Sequence, residues 1–505
     1  MPSLIMSEFK NQRLFQAILI VLCLFLIFVF GFKAMDDPDI GWHLRTGEQI
    51  LSRGEVPQVD WFTHSFADFR WIDHEWLTNV VLYQLYNLGG PFLLSLLFAG
   101  LMVLIFAYLV PKTLDSPLPF YQNLMIGVGG AGVVTFYAGV RPQLLTLVAV
   151  CLVLIIFQKL RRNPASRAIY WLPFIFLAWA NLHASFPVGL SLFIILLILE
   201  SIKRSVLIKK GKFWLAEEKN TLASLAIKRL AWMLPVSFAA TLINPYGWRI
   251  YLEVYRTVLD HYGTREITEW LAPDITQTYG IVFGIYLCAW LIAFFLRRAK
   301  IDLAQFTLFI IFLLAALISL RHIPLFVVIT LPFFMIGAGQ FFDQFFIPIV
   351  RNRAIFIGLV AVAVLSVFAI GQFGQTAKRS FNQNEIFAAA DIPVSAVREL
   401  KNLRLSGNMF NEYNWGGYLI WQAPEYPVFT DGRTAHWKRD GKNLLQEFVE
   451  TANFHAGAAE VLDKYDINFL FLAPSRPLVQ VLKNDSNWEM IYSDDLAVIM
   501  KRIKN

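Results

Sequence analysis

The stretch DDPDIGWH, residues 36–43, decides how this sequence is interpreted, because three carboxylates and a histidine follow directly after a hydrophobic segment. That segment, Leu14 to Phe32, is long enough to cross a bilayer as a helix. Ionisable groups are costly so close to lipid and usually mark chemistry or conduction. Lys10 and Arg13 precede the segment and no small-residue cleavage site follows it, so it is predicted to be a retained anchor.

The composition predicts a polytopic membrane protein. Of 505 residues, 57% are hydrophobic and 16% are charged, and the mean hydropathy is +0.52. The net charge of +7 does not indicate nucleic acid, because the cations lie between hydrophobic runs. The three cysteines lie inside apolar runs without the spacing of a zinc site or a disulfide framework.

About eleven hydrophobic runs have a length close to that of a membrane span. They lie near residues 14–32, 92–110, 121–139, 143–158, 169–180, 187–201, 230–243, 279–296, 303–320, 324–341 and 354–371. Lysines and arginines cluster in alternate loops, at 159–167, 203–212, 297–300 and 351–353, which are therefore predicted to be cytoplasmic. The N-terminus is then cytoplasmic, and the loop 33–90 and everything after about residue 372 face outward.

The loop 33–90, called the first outer loop below, is predicted to hold two helices. Residues 40–53 show an amphipathic pattern that is typical of a helix lying on a membrane surface. Asp39 precedes this helix, and Asp73 precedes a second one, His74 to Leu88, which ends at Gly89-Gly90.

The density of polar groups in this loop favours a functional role. Asp37 and Asp39 form an acidic pair that suits a general base with its neighbour, or two metal ligands, and His43, His74 and Glu75 lie in the same loop. The alternative is structural, with aspartates that cap helices and a first-turn His74 and Glu75 that complement the helix dipole.

Further polar residues are predicted at the outer ends of later spans. Arg141 and the pair Arg321-His322 suit a phosphate or pyrophosphate group, although an arginine whose side chain reaches toward the lipid surface explains Arg141 equally well. His183 lies in a short turn, where an interfacial hydrogen-bonded histidine is the alternative to substrate contact. Glu269 lies in the loop 244–278 and is a candidate substrate contact.

From about residue 373 the sequence becomes that of a soluble domain. Short strand-like runs, among them 428–430 and 469–472, alternate with helical runs, among them 444–451, over residues 373–505. This alternation predicts a small α/β domain. Its polar residues near strand ends are ligand-binding candidates, although Asn-Trp-Gly-Gly and Asp-Gly-Arg are also explained as turns: Asn411, Asn414, Trp415, Asp431, Arg433 and His436.

The acidic pair after the first span, the long first outer loop and the outer C-terminal domain together resemble the GT-C glycosyltransferases. This superfamily includes the oligosaccharyltransferase catalytic subunit, protein O-mannosyltransferases and the lipid A aminoarabinose transferase. The stretches DPDIGWHLRTGE, WIDHEW, NEYNWGGYLIW and VFTDGR resemble a bacterial group within it. The WWD-type acceptor motif of oligosaccharyltransferases is not found in the sequence.

The resemblance implies an α-helical GT-C-like membrane domain over residues 1–372 and an extracytoplasmic domain over 373–505, in the bacterial inner or plasma membrane. It implies inverting transfer of a sugar from a polyprenyl-phosphate donor to a glycan, lipid or protein acceptor. Asp37 and Asp39 would be the catalytic base or the ligands of a divalent cation, Mg²⁺ or Mn²⁺, which is allowed but not required. Two alternatives remain, a transporter or flippase of lipid-linked sugars and a non-enzymatic scaffold or sensor.

Overall fold

A computed structural model describes residues 2–116, 118–211, 215–260, 262–296, 302–345, 348–388, 390–439 and 441–503. Most of these residues are helical. The helices are α1 (Pro2–Gly31), α2 (Ile40–Arg53), α3 (Trp76–Val103), α4 (Val110–Lys112), α5 (Phe120–Val134), α6 (Gln143–Arg162), α7 (Leu172–Leu182), α8 (Phe186–Lys210), α9 (Ser224–Thr241), α10 (Arg249–Leu259), α11 (Gly263–Glu266), α12 (Thr278–Leu296), α13 (Leu303–Ile318), α14 (Ile323–Phe345), α15 (Pro348–Ser380), α16 (Gln383–Ala388), α17 (Val394–Leu403), α18 (Gly416–Gln422), α19 (Leu444–Ala452), α20 (Ala458–Lys464) and α21 (Pro477–Leu482).

The strands are confined to the C-terminal region. They are β1 (Asn408–Asn411), β2 (Lys438–Arg439), β3 (Lys442–Asn443), β4 (Ile467–Leu472), β5 (Trp488–Ser493) and β6 (Val498–Arg502). Four of them form one mixed sheet in the order β1-β4-β6-β5, in which β1 and β4 are parallel and the other pairs are antiparallel. The predicted combination of a helical membrane protein with a small C-terminal α/β region is confirmed.

Eight helical segments of the described residues are long and apolar enough to cross a bilayer, and the chain is an integral membrane protein. They are Arg13–Gly31, Trp76–Lys112, Gln143–Arg162, Phe186–Lys210, Glu218–Thr241, Thr278–Phe295, Leu320–Gly337 and Val360–Ser380. The sequence predicts about eleven runs. The three that are not among the eight form α5, α7 and α13, with 15, 11 and 16 residues, which is short of the roughly 20 that a span needs.

The chain divides into two compact units. Unit 1 consists of Met1–Lys33, Ser95–Asn244 and Thr268–Ala377, and unit 2 consists of Ala34–Leu94, Pro245–Ile267 and Lys378–Asn505. The first outer loop, which the sequence groups with the spans, belongs to unit 2 together with the C-terminal region.

Unit 1 contains a buried ion network among its membrane helices. The ammonium group of Lys203 in α8 is 2.7 Å from Asp302 Oδ2 and 3.0 Å from Glu200 Oε1, and Arg161 in α6 donates to the same Glu200 oxygen at 2.7 Å. Lys203 and Glu200 are fully buried. Because a charge buried without a partner is strongly destabilising, these contacts tie α6, α8 and the start of α13 together.

Unit 2 is built around the mixed sheet, and part of the first outer loop extends it. Thr63 forms a parallel bridge with Val428, and the backbone of Val428 is hydrogen-bonded to Phe62 and to His64. The Ser65 hydroxyl donates to the carbonyl oxygen of Phe429 at 2.6 Å. The first outer loop therefore pairs directly with the chain of the C-terminal region.

The helix α2 corrects one expectation. The sequence predicts that residues 40–53 lie on a membrane surface, but their apolar face is covered by protein within unit 2. A Cβ on Gly41 would collide with the carbonyl oxygen of Gly417 in α18, and a Cβ on Gly47 would collide with that of Asn79 in α3. Glycines at these two positions let α2 approach both neighbours at backbone distance.

Candidate active site

The acidic pair lies at the start of α2. Oδ1 of Asp37 accepts the backbone N–H of Asp39 at 2.8 Å, and the Asp37 side chain is buried. Asp39 occupies the N-cap position of α2, but its side chain makes no capping hydrogen bond. The structural alternative of a helix cap therefore does not explain the Asp39 carboxylate, which is half-exposed.

Glycines of the C-terminal region pack closely against the segment that carries the acidic pair. A Cβ on Gly432 would collide with Oδ1 of Asp39, and a Cβ on Gly417 would collide with the carbonyl oxygen of Pro38. A Cβ on Gly416 would likewise collide with the carbonyl oxygen of Thr430. The Gly-Gly and Asp-Gly-Arg motifs, which the sequence explains as turns, thus position the segment that carries Asp39.

A hydrogen-bonded chain behind the acids fixes His43. Nδ2 of Asn79 donates to both carboxylate oxygens of Asp73, at 3.1 and 2.9 Å. Oδ1 of Asn79 is then left as the acceptor for Nδ1 of His43, 2.6 Å away. This arrangement places the His43 proton on Nδ1 and turns Nε2 toward Glu75 Oε2, at 3.7 Å.

Asp73 ends this chain as a buried group with an altered pKa. Burial raises the pKa of its carboxyl group to about 7, and hydrogen bonds from the Glu75 backbone and from Asn79, with the charge of Arg433, offset only part of that effect. His74 lies close by, with Nε2 at 4.0 Å from Glu75 Oε1. His43, His74 and Glu75, all predicted from the sequence, are thus in one cluster of unit 2.

Arg433 joins the first outer loop to the C-terminal region. Its guanidinium donates to Asp60 Oδ1 at 2.7 Å and to both carboxylate oxygens of Asp431, at 2.8 and 2.7 Å. The guanidinium also lies over the rings of Trp71 and Phe62, 4.5 and 4.8 Å from their centroids. Burial alone would lower the pKa of Arg433, but the two carboxylates raise it above its usual value. Arg433 is therefore engaged in structural contacts within unit 2, and its predicted ligand-binding role stays a prediction.

A second outer-loop segment of unit 2, residues 245–267, is attached to the same region. Asp260 accepts from Gly263 N at 2.9 Å and from Asn443 Nδ2 at 3.0 Å, and it is paired with Lys438 and His436. Burial alone would raise the pKa of the Asp260 carboxyl, but these partners hold it below its usual value. His436, a predicted ligand-binding residue, is therefore occupied by this contact.

Glu253, on the buried face of α10, makes the stability of unit 2 depend on pH. Burial raises the pKa of this carboxyl group from 4.5 to about 7, so folding takes up a proton between these pH values. Stability should therefore fall as the pH rises from 4.5 to about 7. Glu253→Gln should remove the contribution of this carboxyl group but not that of Asp73, whose pKa burial raises in the same way. It should stabilise the protein by about 1–3 kcal/mol above pH 7, at roughly 1.4 kcal/mol per pKa unit. Unfolding by denaturant over that pH range measures both effects.

The control for this measurement is Glu266→Gln, at an exposed glutamate of the same outer segment. It should leave the pH dependence of the wild type unchanged. An unaltered slope in Glu253→Gln would mean that another group carries the dependence.

Unit 1 brings together three of the predicted outer polar residues. The Glu269 carboxylate forms an ion pair with Arg141 through Oε1, and its Oε2 lies 3.6 Å from the guanidinium of Arg321. Arg321 also stacks over the Trp270 ring at 4.8 Å. Burial alone would raise the pKa of Glu269, but the two arginines bring it below its usual value. Two guanidinium groups thus converge on one anionic group.

Of the two remaining predicted residues of unit 1, His183 is hydrogen-bonded to nearby side chains. Nδ1 of His183 is 3.0 Å from the Thr146 hydroxyl and 2.6 Å from that of Ser185, in agreement with the hydrogen-bonded alternative. His322 follows Arg321 in the 3-10 turn Leu320–His322. Asn79, Asp60 and Asp260 were missed by the sequence analysis. Of these, Asn79 was in principle detectable, because it lies one helical turn after Glu75.

The donor set around the acids was compared with that of a metal site. Two aspartates supply oxygen ligands that suit Mg²⁺ or Mn²⁺, but one oxygen of Asp37 already accepts a backbone N–H. Within the described ranges of the chain, no group of three or more His, Cys, Asp or Glu side chains is arranged to hold a metal ion.

Comparisons of the whole chain place its fold in a known class. No family model matches the sequence, and no curated protein is similar to it in sequence. Among solved structures, an Archaeoglobus fulgidus oligosaccharyltransferase tethered with an acceptor peptide matches at a TM-score of 0.53, with 9% identity over 92% of this chain and 70% of that one. The chain thus has the fold of the GT-C glycosyltransferases, as the sequence predicts.

Two further structures show similarity. The oligosaccharyltransferase AglB from the same archaeon, in complex with an inhibitory peptide and a dolichol-phosphate, has a TM-score of 0.54 and 10% identity over 91% of this chain and 69% of that one. ArnT from Cupriavidus metallidurans, bound to undecaprenyl phosphate, has a TM-score of 0.45 and 12% identity over 97% of this chain and 98% of that one.

Proposed function

We propose that this protein is a membrane glycosyltransferase that moves a sugar from a polyprenyl-phosphate donor to an acceptor on the outer side of the membrane. The observation that carries the proposal is the Asp39 carboxylate, which is placed at the exit of the first span and is not used as a helix cap. The GT-C fold supports the reaction class. The AglB structure contains a dolichol-phosphate, which supports the choice of a polyprenyl-phosphate donor.

Asp39 is assigned the role of general base. It takes the proton of an acceptor hydroxyl while that oxygen attacks the anomeric carbon and the bond from this carbon to the phosphate oxygen breaks. The sugar is transferred with inversion, and the polyprenyl phosphate leaves with the electron pair. Asp37 acts as a positioning residue, since its Oδ1 holds the Asp39 backbone.

Arg141 and Arg321 are assigned to the donor phosphate. A phosphate offers the same negative oxygens that the Glu269 carboxylate now presents to both guanidinium groups. Charge-assisted hydrogen bonds of this kind stabilise the charge that grows on a departing phosphate.

The full chain, reconstituted in vesicles with sugar-linked undecaprenyl phosphates, tests the function. We expect release of undecaprenyl phosphate that depends on an added acceptor. Passage of the lipid-linked sugar across the bilayer without such release would instead favour a flippase.

Arg321→Gln tests the phosphate assignment. Loss of one charge-assisted contact should weaken binding of undecaprenyl phosphate about tenfold to a hundredfold, measured with the radiolabelled lipid in detergent. Arg502→Gln is the matched control, because Arg502 is paired with Asp463 in the C-terminal region and should bind the lipid like the wild type. Equal affinities of the wild type and Arg321→Gln would refute this role.

A further inference from the structure

The helix α10 of unit 2 exposes an apolar stripe. Trp248, Leu252, Tyr255, Val258 and Leu259 are 63, 36, 63, 60 and 46% exposed. At about 100° per residue, these side chains occupy an arc of roughly 120° on one side of the helix. Single exposed apolar residues are normal, whereas a contiguous row of five marks a surface that something covers.

The opposite face of α10 is anchored in unit 2. Ile250 and Glu253 are 1 and 8% exposed, and the hydroxyl of Tyr246, just before the helix, donates to the Pro57 carbonyl oxygen at 2.8 Å. The apolar stripe therefore cannot be buried by turning the helix about its axis without loss of these contacts.

The surroundings of the stripe identify what covers it. Residues 242–248 alone connect α10 to a span that ends at Thr241, and the next span begins at Thr278. The stripe carries Trp and Tyr, which favour the boundary between lipid and water. Arg249 and Arg256 are exposed along one edge of it, where cations meet lipid phosphates. A second copy of this chain would bring its own two arginines against the same edge, and like charges would repel.

We propose that α10 docks on the membrane, with its stripe in the interface of the outer leaflet and its arginines on the lipid phosphates. This surface fixes the segment 245–267 at the bilayer. Through Asp260 it also fixes Lys438, His436 and Asn443 of the C-terminal region. The inference does not depend on any catalytic activity.

The test uses the full chain with Cys288→Ser, since Cys23 and Cys151 are buried. Leu252→Cys and, separately, Tyr255→Cys carry an environment-sensitive nitrobenzoxadiazole label, and Met490→Cys, an exposed position of β5, is the matched control. The variants are reconstituted in phosphatidylcholine–phosphatidylglycerol vesicles with and without brominated acyl chains.

We expect the emission of both stripe labels to shift to shorter wavelength and to be quenched by brominated lipid, while the control label does neither. Stripe labels that behave like the control would overturn the proposal. It would equally fail if the labels were shielded from water only at a high protein-to-lipid ratio and were not quenched by brominated lipid, because that result assigns the stripe to a second copy of the chain.

Discussion

Asp39→Asn should lower the rate of sugar transfer about a hundred- to ten-thousandfold, which is the usual contribution of a positioned general base. Asparagine keeps the size of the side chain but cannot take up the proton of an acceptor hydroxyl. Because Asp39 makes no capping hydrogen bond, the substitution should leave the start of α2 unchanged. The measurement is the initial rate of undecaprenyl phosphate release from the sugar-linked lipid, with lipid binding measured in parallel.

Two neighbouring carboxylates provide controls in the same segment. Asp37→Asn should cost less, because an amide oxygen still accepts the Asp39 N–H that Asp37 Oδ1 now accepts. Asp36→Asn, at an exposed position, should transfer sugar at nearly the rate of the wild type. Equal losses in all three variants would indicate a general effect of charge near the membrane and not a base at residue 39.

Gly432→Ala tests whether the position of the Asp39 carboxylate matters as well as its charge. The added methyl group would occupy the place of Asp39 Oδ1, so the carboxylate must move. Transfer should fall while binding of undecaprenyl phosphate stays unchanged, since displacement of a catalytic group by about 1 Å is enough for a large loss. Gly374→Ala, in α15, has open space around its Cβ and serves as the control.

The sequence predicts much of the architecture, because composition and hydrophobic periodicity determine helices and strands within short stretches of the chain. The C-terminal helices and strands illustrate this. The run 444–451 is observed as α19 and the run 469–472 as part of β4. One predicted strand, 428–430, forms only a single bridge, at Val428, since its partner is a loop segment more than 350 residues away in sequence.

The sequence does not reveal what covers each apolar face. The pattern of α2 fits a membrane surface and a protein surface equally well, and only the contacts at Gly41 and Gly47 distinguish them. The same limitation applies to α10, whose outer stripe stays exposed.

The candidate site was predicted only in part, for a similar reason. Two functional-looking residues, Arg433 and His436, are engaged in buried or partly buried ion pairs with Asp60 and Asp260, which lie far away in sequence. Conversely, the position of Asn79 one helical turn after Glu75 is a local pattern, but its hydrogen bond to His43, 36 residues away, is not. Pairings between distant segments are set by tertiary packing, which no local pattern encodes.

Arg433→Met should destabilise unit 2 by about 3–5 kcal/mol, the usual cost of leaving buried charges without their partner. The substitution leaves the carboxylates of Asp60 and Asp431, which are 5 and 0% exposed, facing each other without a cation. It also removes the stacking on Trp71 and Phe62. Arg433→Lys should be intermediate, because an ammonium group keeps the charge but not the planar fork that contacts both carboxylates.

Arg439→Met is the matched control for this prediction. Arg439 also lies over an aromatic ring, that of Phe66 at 4.4 Å, and also pairs with an aspartate of the first outer loop, Asp68. Its side chain is 37% exposed and that of Asp68 is 82% exposed, so the loss should stay within about 1 kcal/mol. Denaturant unfolding of the full chain, followed by limited proteolysis of the C-terminal region, compares the two variants.

Removal of one of the two carboxylates that Arg433→Met leaves unpaired should restore part of the lost stability. The double variant Arg433→Met with Asp60→Asn buries one carboxylate fewer, and we expect it to be more stable than Arg433→Met alone. Oδ1 of Asp431 would still accept the backbone N–H of residue 433, as it accepts that of Arg433 now at 2.9 Å. The contrary outcome is a double variant that is less stable than Arg433→Met by as much as Asp60→Asn destabilises the wild type. The arginine would then act through packing on the rings, and not as a counter-ion that joins the first outer loop to the C-terminal region.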